Sequence, residues 1–105
     1  MALEKAIYPH PHVNPRQPRD GSVIKTNPPV FAWKAEQKQS SQKFRLLVAT
    51  DKPMKKVVVD ERGLIDPVFL PTRALKAGTY YWQWRAGNHK SEIHTFRVPG
   101  NAVVL

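Results

Sequence analysis

Short apolar runs separated by polar turns dominate the chain after residue 29. The runs lie at residues 30–33, 44–50, 56–59, 68–70, 79–86 and 93–98. They are rich in β-branched and aromatic residues, and helical periodicity is weak throughout. Residues 60–63 (DERG) are predicted to form a turn. Short strands at fairly regular spacing predict an all-β fold, a β-sandwich of about seven strands, with a barrel as the alternative.

The strongest predicted strand is the aromatic run at residues 79–86 (TYYWQWRA). Alternate side chains of a strand point to opposite faces. One face then carries a nearly all-apolar set, which is expected to lie in the core with Trp33: Tyr80, Trp82, Trp84 and Ala86. The other face carries Tyr81, Gln83 and Arg85. In the run at 44–50 the same alternation predicts that Phe44, Leu46 and Val48 point inward.

Proline separates the beginning of the chain from this pattern. Six of the ten prolines fall within the first 29 residues. Proline fixes φ and lacks an N–H group, so it disfavours helices and central strands. We therefore predict an extended N-terminal arm at 1–19, a β-sandwich domain at 20–99, and a tail at 100–105 that leads to an absent domain.

Composition excludes several classes of function. The 105 residues contain no cysteine, which excludes disulfides and thiol chemistry. No apolar run approaches the length of a membrane span, and no signal peptide is evident. The sequence thus predicts a cytoplasmic protein if Met1 is the native start, and otherwise a periplasmic or secreted one.

Candidate catalytic and metal-binding residues are few. His10 and His12 are two apart on an extended segment, but a metal site needs a third ligand and no acidic residue lies nearby. His89 and His94 lack an obvious acidic partner other than Glu92. There is no nucleophile elbow and no glycine-rich phosphate loop. We expect no catalysis by this chain alone, no metal and no cofactor.

The charge balance points instead to binding. Seventeen Lys and Arg against eight Asp and Glu give a formal net charge of +9. In a sandwich of this type, the strands at 44–50, 79–86 and 93–98 are expected to share one sheet. Their outward side chains would then form one polyanion-binding face: Arg45, Tyr81, Arg85 and Arg97. The alternative is a solvated surface that serves solubility only.

Nucleic acid is a less favoured polyanion for this face. Single-stranded nucleic acid binds where exposed aromatic rings lie on a basic groove. Here most aromatic residues belong to the predicted core, and no nucleic-acid-binding motif is present.

Three segments carry a resemblance to a known family. They are PRDGSVIKTNPPVFAW at 18–33, LKAGTYYWQWRA at 75–86 and SEIHTFRV at 91–98. Together they resemble the fibronectin type III-like N-terminal domain of heparinase II/III-family polysaccharide lyases, which include oligoalginate lyases. The matching positions are Pro18, Gly21, Asn27, Pro28, Pro29, Phe31, Trp33, Leu75, Gly78, Tyr80, Tyr81, Trp82, Phe96 and Val98.

The resemblance implies an accessory role. The family's catalytic residues lie on a helical toroid and a C-terminal β-domain, neither of which matches this chain, so no catalytic residue is carried over. The implied fold is a fibronectin III/immunoglobulin-like β-sandwich. The implied function is to brace the catalytic domain of a lyase that acts on acidic, uronic-acid polysaccharide such as alginate, and to line its cleft. The partners would be that catalytic domain and acidic polysaccharide. The alternative is a free-standing module whose basic face binds a polyanion or a protein partner.

Overall fold

Short strands connected by turns make up the protein. The computed structural model describes residues 16–34 and 42–104, and within them there is no helix. The strands are β1 (Ser22–Val23), β2 (Thr26–Asn27), β3 (Phe31–Ala32), β4 (Phe44–Ala49), β5 (Val57–Leu64), β6 (Val68–Phe69), β7 (Gly78–Ala86), β8 (His89–Lys90), β9 (His94–Val98) and β10 (Val103–Val104). The predicted all-β class is therefore confirmed.

One sheet contains six of the strands. Its order is β1-β9-β7-β4-β5, and β8 pairs with the end of β7. The aromatic strand β7 is central, antiparallel to both β4 and β9. The prediction that the strands at 44–50, 79–86 and 93–98 share a sheet is thus confirmed. Two small pairs, β3 with β6 and β10 with β2, lie outside this sheet.

The core lies between the main sheet and the β3–β6 pair. Phe31 on β3 is fully buried and meets Trp82 and Phe96 edge-on, at ring-centroid distances of 5.6 and 5.7 Å. Trp33 stacks on Trp84 at 6.1 Å. The predicted inward residues of β4 and β7 are all buried: Phe44, Leu46, Val48, Tyr80, Trp82, Trp84 and Ala86. Alternation therefore predicted the core face of both strands correctly.

The predicted turn at residues 60–63 is wrong. These residues continue β5, which extends from Val57 to Leu64 along β4. Leu46 is paired with Glu61, whereas Phe44 is paired with Leu64, so β5 gains one residue relative to β4. Gly63 adopts a φ of 73° at this irregularity. A glycine with positive φ suits a β-bulge as well as it suits a turn.

Asn27 ties two distant parts of the chain together. Its side-chain Nδ2 donates to the Leu75 carbonyl at 2.7 Å, and its Oδ1 accepts from the Leu75 N–H at 2.8 Å. Tyr80 anchors the same segment, because its hydroxyl donates to the Lys76 carbonyl at 2.6 Å. Asn27, Leu75 and Tyr80 all belong to the motif segments, so these motif residues have a structural role.

The two ends of the chain fall partly outside the described residues. The predicted arm covers residues 1–19. Its residues 1–15, which include His10 and His12, lie outside the described part of the chain. Gln17 forms a backbone bridge to Ala32. In the predicted tail at 100–105, Val103 and Val104 pair in parallel with β2.

Candidate polyanion-binding face

The side of the main sheet that faces away from Trp82 carries the predicted binding residues. We call it the outer face. Directly opposed positions on paired strands share a face, and the register opposes Arg45 to Arg85, Leu47 to Gln83 and Ala49 to Tyr81. Leu47, Ala49 and Gln83 are buried in spite of this orientation. The outer face is therefore shielded from solvent at its middle, and its charged side chains lie around that region.

Three basic residues are aligned across one end of the outer face. Arg85 on β7 lies opposite Arg45 on β4 and opposite Lys90 on β8. Like charges placed directly opposite each other destabilise a sheet unless a counter-charge is near. Asp60 on β5 supplies one such charge, and Arg62 also contacts it. We call these four cations and one carboxylate the cationic row: Arg62, Asp60, Arg45, Arg85 and Lys90.

Arg45 is held by Asp60 in a two-point ion pair. Arg45 Nε donates to Oδ1 at 2.9 Å, and Arg45 Nη2 donates to Oδ2 at 2.8 Å. The hydrogen bonds from Arg45, followed by the one from Arg62, lower the pKa of Asp60 to about 2. The carboxylate is consequently ionised at neutral pH and cancels one positive charge of the row, which leaves a net charge of +3.

Arg85 is positioned differently. Its Nε donates to Gln83 Oε1 at 3.0 Å, while Gln83 Nε2 donates to the Ser91 carbonyl at 2.9 Å. Gln83 is itself buried, so this chain of hydrogen bonds fixes the guanidinium to the sheet. Within the part of the chain that the structure describes, Arg85 makes no salt bridge. Its two terminal amino groups are therefore available to an anion.

Two of the four predicted residues lie away from the cationic row. Tyr81 is half-buried, between Ala49 and Thr95 on the neighbouring strands. Arg97 is exposed and opposes Thr79, six residues from Arg85 along β7. At about 3.4 Å per residue, that separation is roughly 20 Å. The structure thus brings Arg45 and Arg85 together and leaves Arg97 at the opposite end of the outer face.

Sequence reasoning did not select Arg62 or Lys90. Arg62 was assigned to a turn that proved to be part of β5. Lys90 follows Gly87 and Asn88, which form a tight turn into β8, whereas the predicted hairpin began only at residue 93. The β9 strand pairs with β7 as predicted, but farther from the turn. A turn dipeptide followed immediately by strand residues was the signal that could have identified Lys90.

The described histidines do not belong to a metal-binding cluster. Across residues 16–34 and 42–104, no group of three or more His, Cys, Asp or Glu side chains comes together in a way that could hold a metal ion. His94 is buried against Trp82, with the ring centroids 5.0 Å apart. Burial, reinforced by the nearby positive charge of Arg16, lowers the pKa of His94.

Comparison with known proteins does not place the chain in a family. No protein-family model matches it, and no curated protein matches it in sequence. Among the described residues there is also no helix that is long and apolar enough to cross a membrane.

Proposed function

We propose that this chain is a non-catalytic β-domain that binds acidic polysaccharide through the cationic row. The observation that carries the proposal is the state of Arg85. It is anchored through Nε, it lies between two other basic residues, and it has no acidic partner among the described residues. A guanidinium held in this way loses little side-chain freedom when it binds a carboxylate.

The layout of the row suits a linear polyanion. The row runs across the strands, and neighbouring strands are about 4.8 Å apart. Arg85 and Lys90 therefore present positive charges on neighbouring strands, and Arg45, whose charge Asp60 offsets, lies on the next strand. The planar guanidinium groups match carboxylate geometry with two parallel hydrogen bonds.

Nucleic acid fits this surface less well. Binding of single strands depends on bases stacking on exposed aromatic rings. On the outer face, the strands β4, β7 and β9 carry one aromatic residue, Tyr81. Its side chain is half-buried. Single-stranded DNA is therefore the comparison ligand rather than the proposed one.

The fold and the parent protein are part of the same proposal. We infer a fibronectin III/immunoglobulin-like sandwich in which the β3–β6 pair belongs to a reduced second sheet. Packing of Phe31 and Trp33 on the main sheet supports this inference. The motif residues that resemble the N-terminal domain of heparinase II/III-family lyases support an accessory role beside a catalytic domain that acts on uronic-acid polysaccharide.

Bracing of that catalytic domain has its own support. Val30, Val68 and Leu70 are exposed apolar residues on or beside the β3–β6 pair. The register of that pair places Val68 opposite Ala32, on the side turned away from the buried Phe31. Exposed apolar side chains grouped in this way suit a surface between domains.

A titration followed by NMR tests the binding proposal. Uronic-acid oligosaccharides from alginate would be added at about 0.15 M salt, where weak surface electrostatics are partly screened. We expect saturable shifts centred on Arg45, Arg85 and Lys90, including the Nε–H signal of Arg85. A neutral oligosaccharide should leave these signals in place. Absence of shifts with the acidic ligand, or stronger binding of single-stranded DNA, would contradict the proposal.

A further inference from the structure

A second candidate site lies at the end of the main sheet that is distant from the cationic row. It is a pocket of about 550 Å³ between the start of β5 and the residues that lead into β7. Val58 lines it from β5, Leu75 from the loop before β7, and Thr79 from the start of β7 itself. Thr79 is six residues from Arg85 along β7, which corresponds to roughly 20 Å. The pocket is therefore separate from the row.

Hydrogen bonds hold one wall of this pocket in place. The side chain of Asn27 bonds to both the N–H and the carbonyl group of Leu75, and the hydroxyl of Tyr80 donates to the Lys76 carbonyl. Gly78 follows with a φ of 150°, and a methyl group added there would meet no atom within 4 Å. The fold itself therefore forms this wall, and the space beside the Gly78 backbone is open.

Most of the lining is apolar. Val58 contributes from β5, and Ala74, Leu75 and Ala77 contribute from the loop before β7. The side chain of Val58 is 52% exposed, so about half of its surface is left uncovered by the fold. Apolar surface that leaves water when a ligand enters favours binding. The walls of this pocket therefore suit the apolar part of a ligand.

The charge of the lining is positive. Among the described residues that line the pocket, Lys76 is charged and none is acidic. Lys76 is exposed and makes no salt bridge within the described part of the chain. Asp51 follows the lining residue Thr50, but its carboxylate accepts from the backbone N–H groups of Lys55 and Lys56 at 3.0 and 2.7 Å. An unpaired cation beside apolar walls suits a ligand with one negative group.

We propose that this pocket binds a small alkyl carboxylate, with the alkyl chain against Val58 and Leu75 and the carboxylate toward Lys76. Ligand pockets usually have volumes of about 300–1,000 Å³, and this one lies within that range. The hydroxyl groups of Thr50 and Thr79 in the lining are further donors for the carboxylate. The site differs from the cationic row in location and in the chemistry of its ligand, and it does not depend on the row.

Titration with octanoate, followed by NMR, tests this pocket separately from the row. Octylammonium is the control, because it has the same chain and the opposite charge. We expect saturable shifts of the Gly78 and Thr79 amide signals with octanoate, and at least tenfold weaker binding of octylammonium. The Nε–H signal of Arg85 should stay in place, and Arg85→Ala should leave the octanoate affinity unchanged.

Two pairs of variants separate the charge from the apolar wall. Lys76→Gln should weaken octanoate binding about threefold, as expected for an exposed ion pair, whereas Lys25→Gln changes an exposed lysine outside the lining and should have no effect. Val58→Asn should weaken binding about tenfold. Val57→Asn is its control, because Val57 is the neighbouring exposed valine and does not line the pocket. Unchanged thermal midpoints would show that the variants are folded.

Several results would overturn the proposal. One is the absence of saturable shifts with octanoate. Another is equal affinity for octanoate and octylammonium, which would mean that Lys76 has no part in binding. Equal weakening by Lys76→Gln and Lys25→Gln would show that net charge alone attracts the ligand. Equal weakening by Val58→Asn and Val57→Asn would show that the alkyl chain lies outside the pocket.

Discussion

At the residue scale, alternation along the strands decides which side chains stabilise the fold. Trp82 is fully buried and contacts Phe31, Trp33 and His94. The sequence predicted this burial because every second residue of the run at 79–86 is apolar. It did not predict that Leu47 and Gln83 on the outer face are buried too, because alternation tells which face a side chain is on and not what covers that face.

Replacement of Trp82 by alanine should greatly reduce stability. We expect a loss of about 3–5 kcal/mol in the free energy of unfolding, because a large cavity would remain in the core. Chemical denaturation measures it. Val58→Ala is the control, since Val58 is 52% exposed and its loss should cost little. Similar costs for the two variants would contradict the assignment of Trp82 to the core.

Asp60 limits the positive charge of the cationic row. Asp60→Asn would remove the carboxylate that holds Arg45, so we expect affinity for acidic oligosaccharide to rise about threefold, a change that corresponds to an exposed ion pair. Glu61→Gln is the matched control, because Glu61 is opposite the inward residue Leu46. Calorimetric titration of both variants gives the comparison. Weaker binding by Asp60→Asn would mean that the ion pair positions Arg45 for the ligand.

At the scale of elements, strands with clear alternation were predictable, whereas the second half of β5 and several two-residue strands were not. The strands β4, β7 and β9 have five to nine residues, enough for a visible alternation. Strands of two residues, such as β2 and β10, carry no pattern of their own and depend on their partners. Gly63 illustrates a further limit, because the same residue types suit a turn and a bulge. The misassigned turn hid Asp60, and with it the ion pair to Arg45.

The link from Asn27 to Leu75 should be important for stability. Asn27→Ala would leave the N–H and carbonyl of Leu75 without their partner, and Asn27 is only 4% exposed. We expect a loss of about 2–3 kcal/mol, measured by urea denaturation. Asn27→Asp keeps the acceptor but loses the donor to the carbonyl, so it should also destabilise. A negligible cost for both variants would show that water replaces the link.

At the scale of the whole molecule, stability should depend on pH through His94. Burial is the main cause that lowers its pKa below the usual 6.5, so the unfolded chain takes up the proton first as the pH falls. The folded state therefore loses stability as the pH drops below about 6.5, and none of this loss occurs above it. Thermal midpoints measured between pH 7.5 and 5 should fall with pH. His94→Gln should flatten that dependence, and an equal slope in both proteins would contradict it.

The candidate binding face illustrates which features of a surface can be predicted from a sequence. Excess positive charge and outward alternation identified Arg45 and Arg85, because both depend on local pattern. The distance of Arg97 and the alignment of Lys90 depend on strand register, which local pattern does not contain. Neutralisation of Arg45 likewise depends on a partner fifteen residues away.

The most direct test of the binding role compares two arginine variants in the affinity for a uronic-acid oligosaccharide. Arg85→Ala removes the anchored guanidinium of the cationic row, and Arg73→Ala removes the same charge from an exposed position outside the main sheet. Calorimetric titration at about 0.15 M salt should show about tenfold weaker binding for Arg85→Ala and nearly normal binding for Arg73→Ala. Thermal midpoints should stay close to that of the original protein. Equal affinities for the two variants would mean that net charge alone attracts the ligand and that the row is not a binding site.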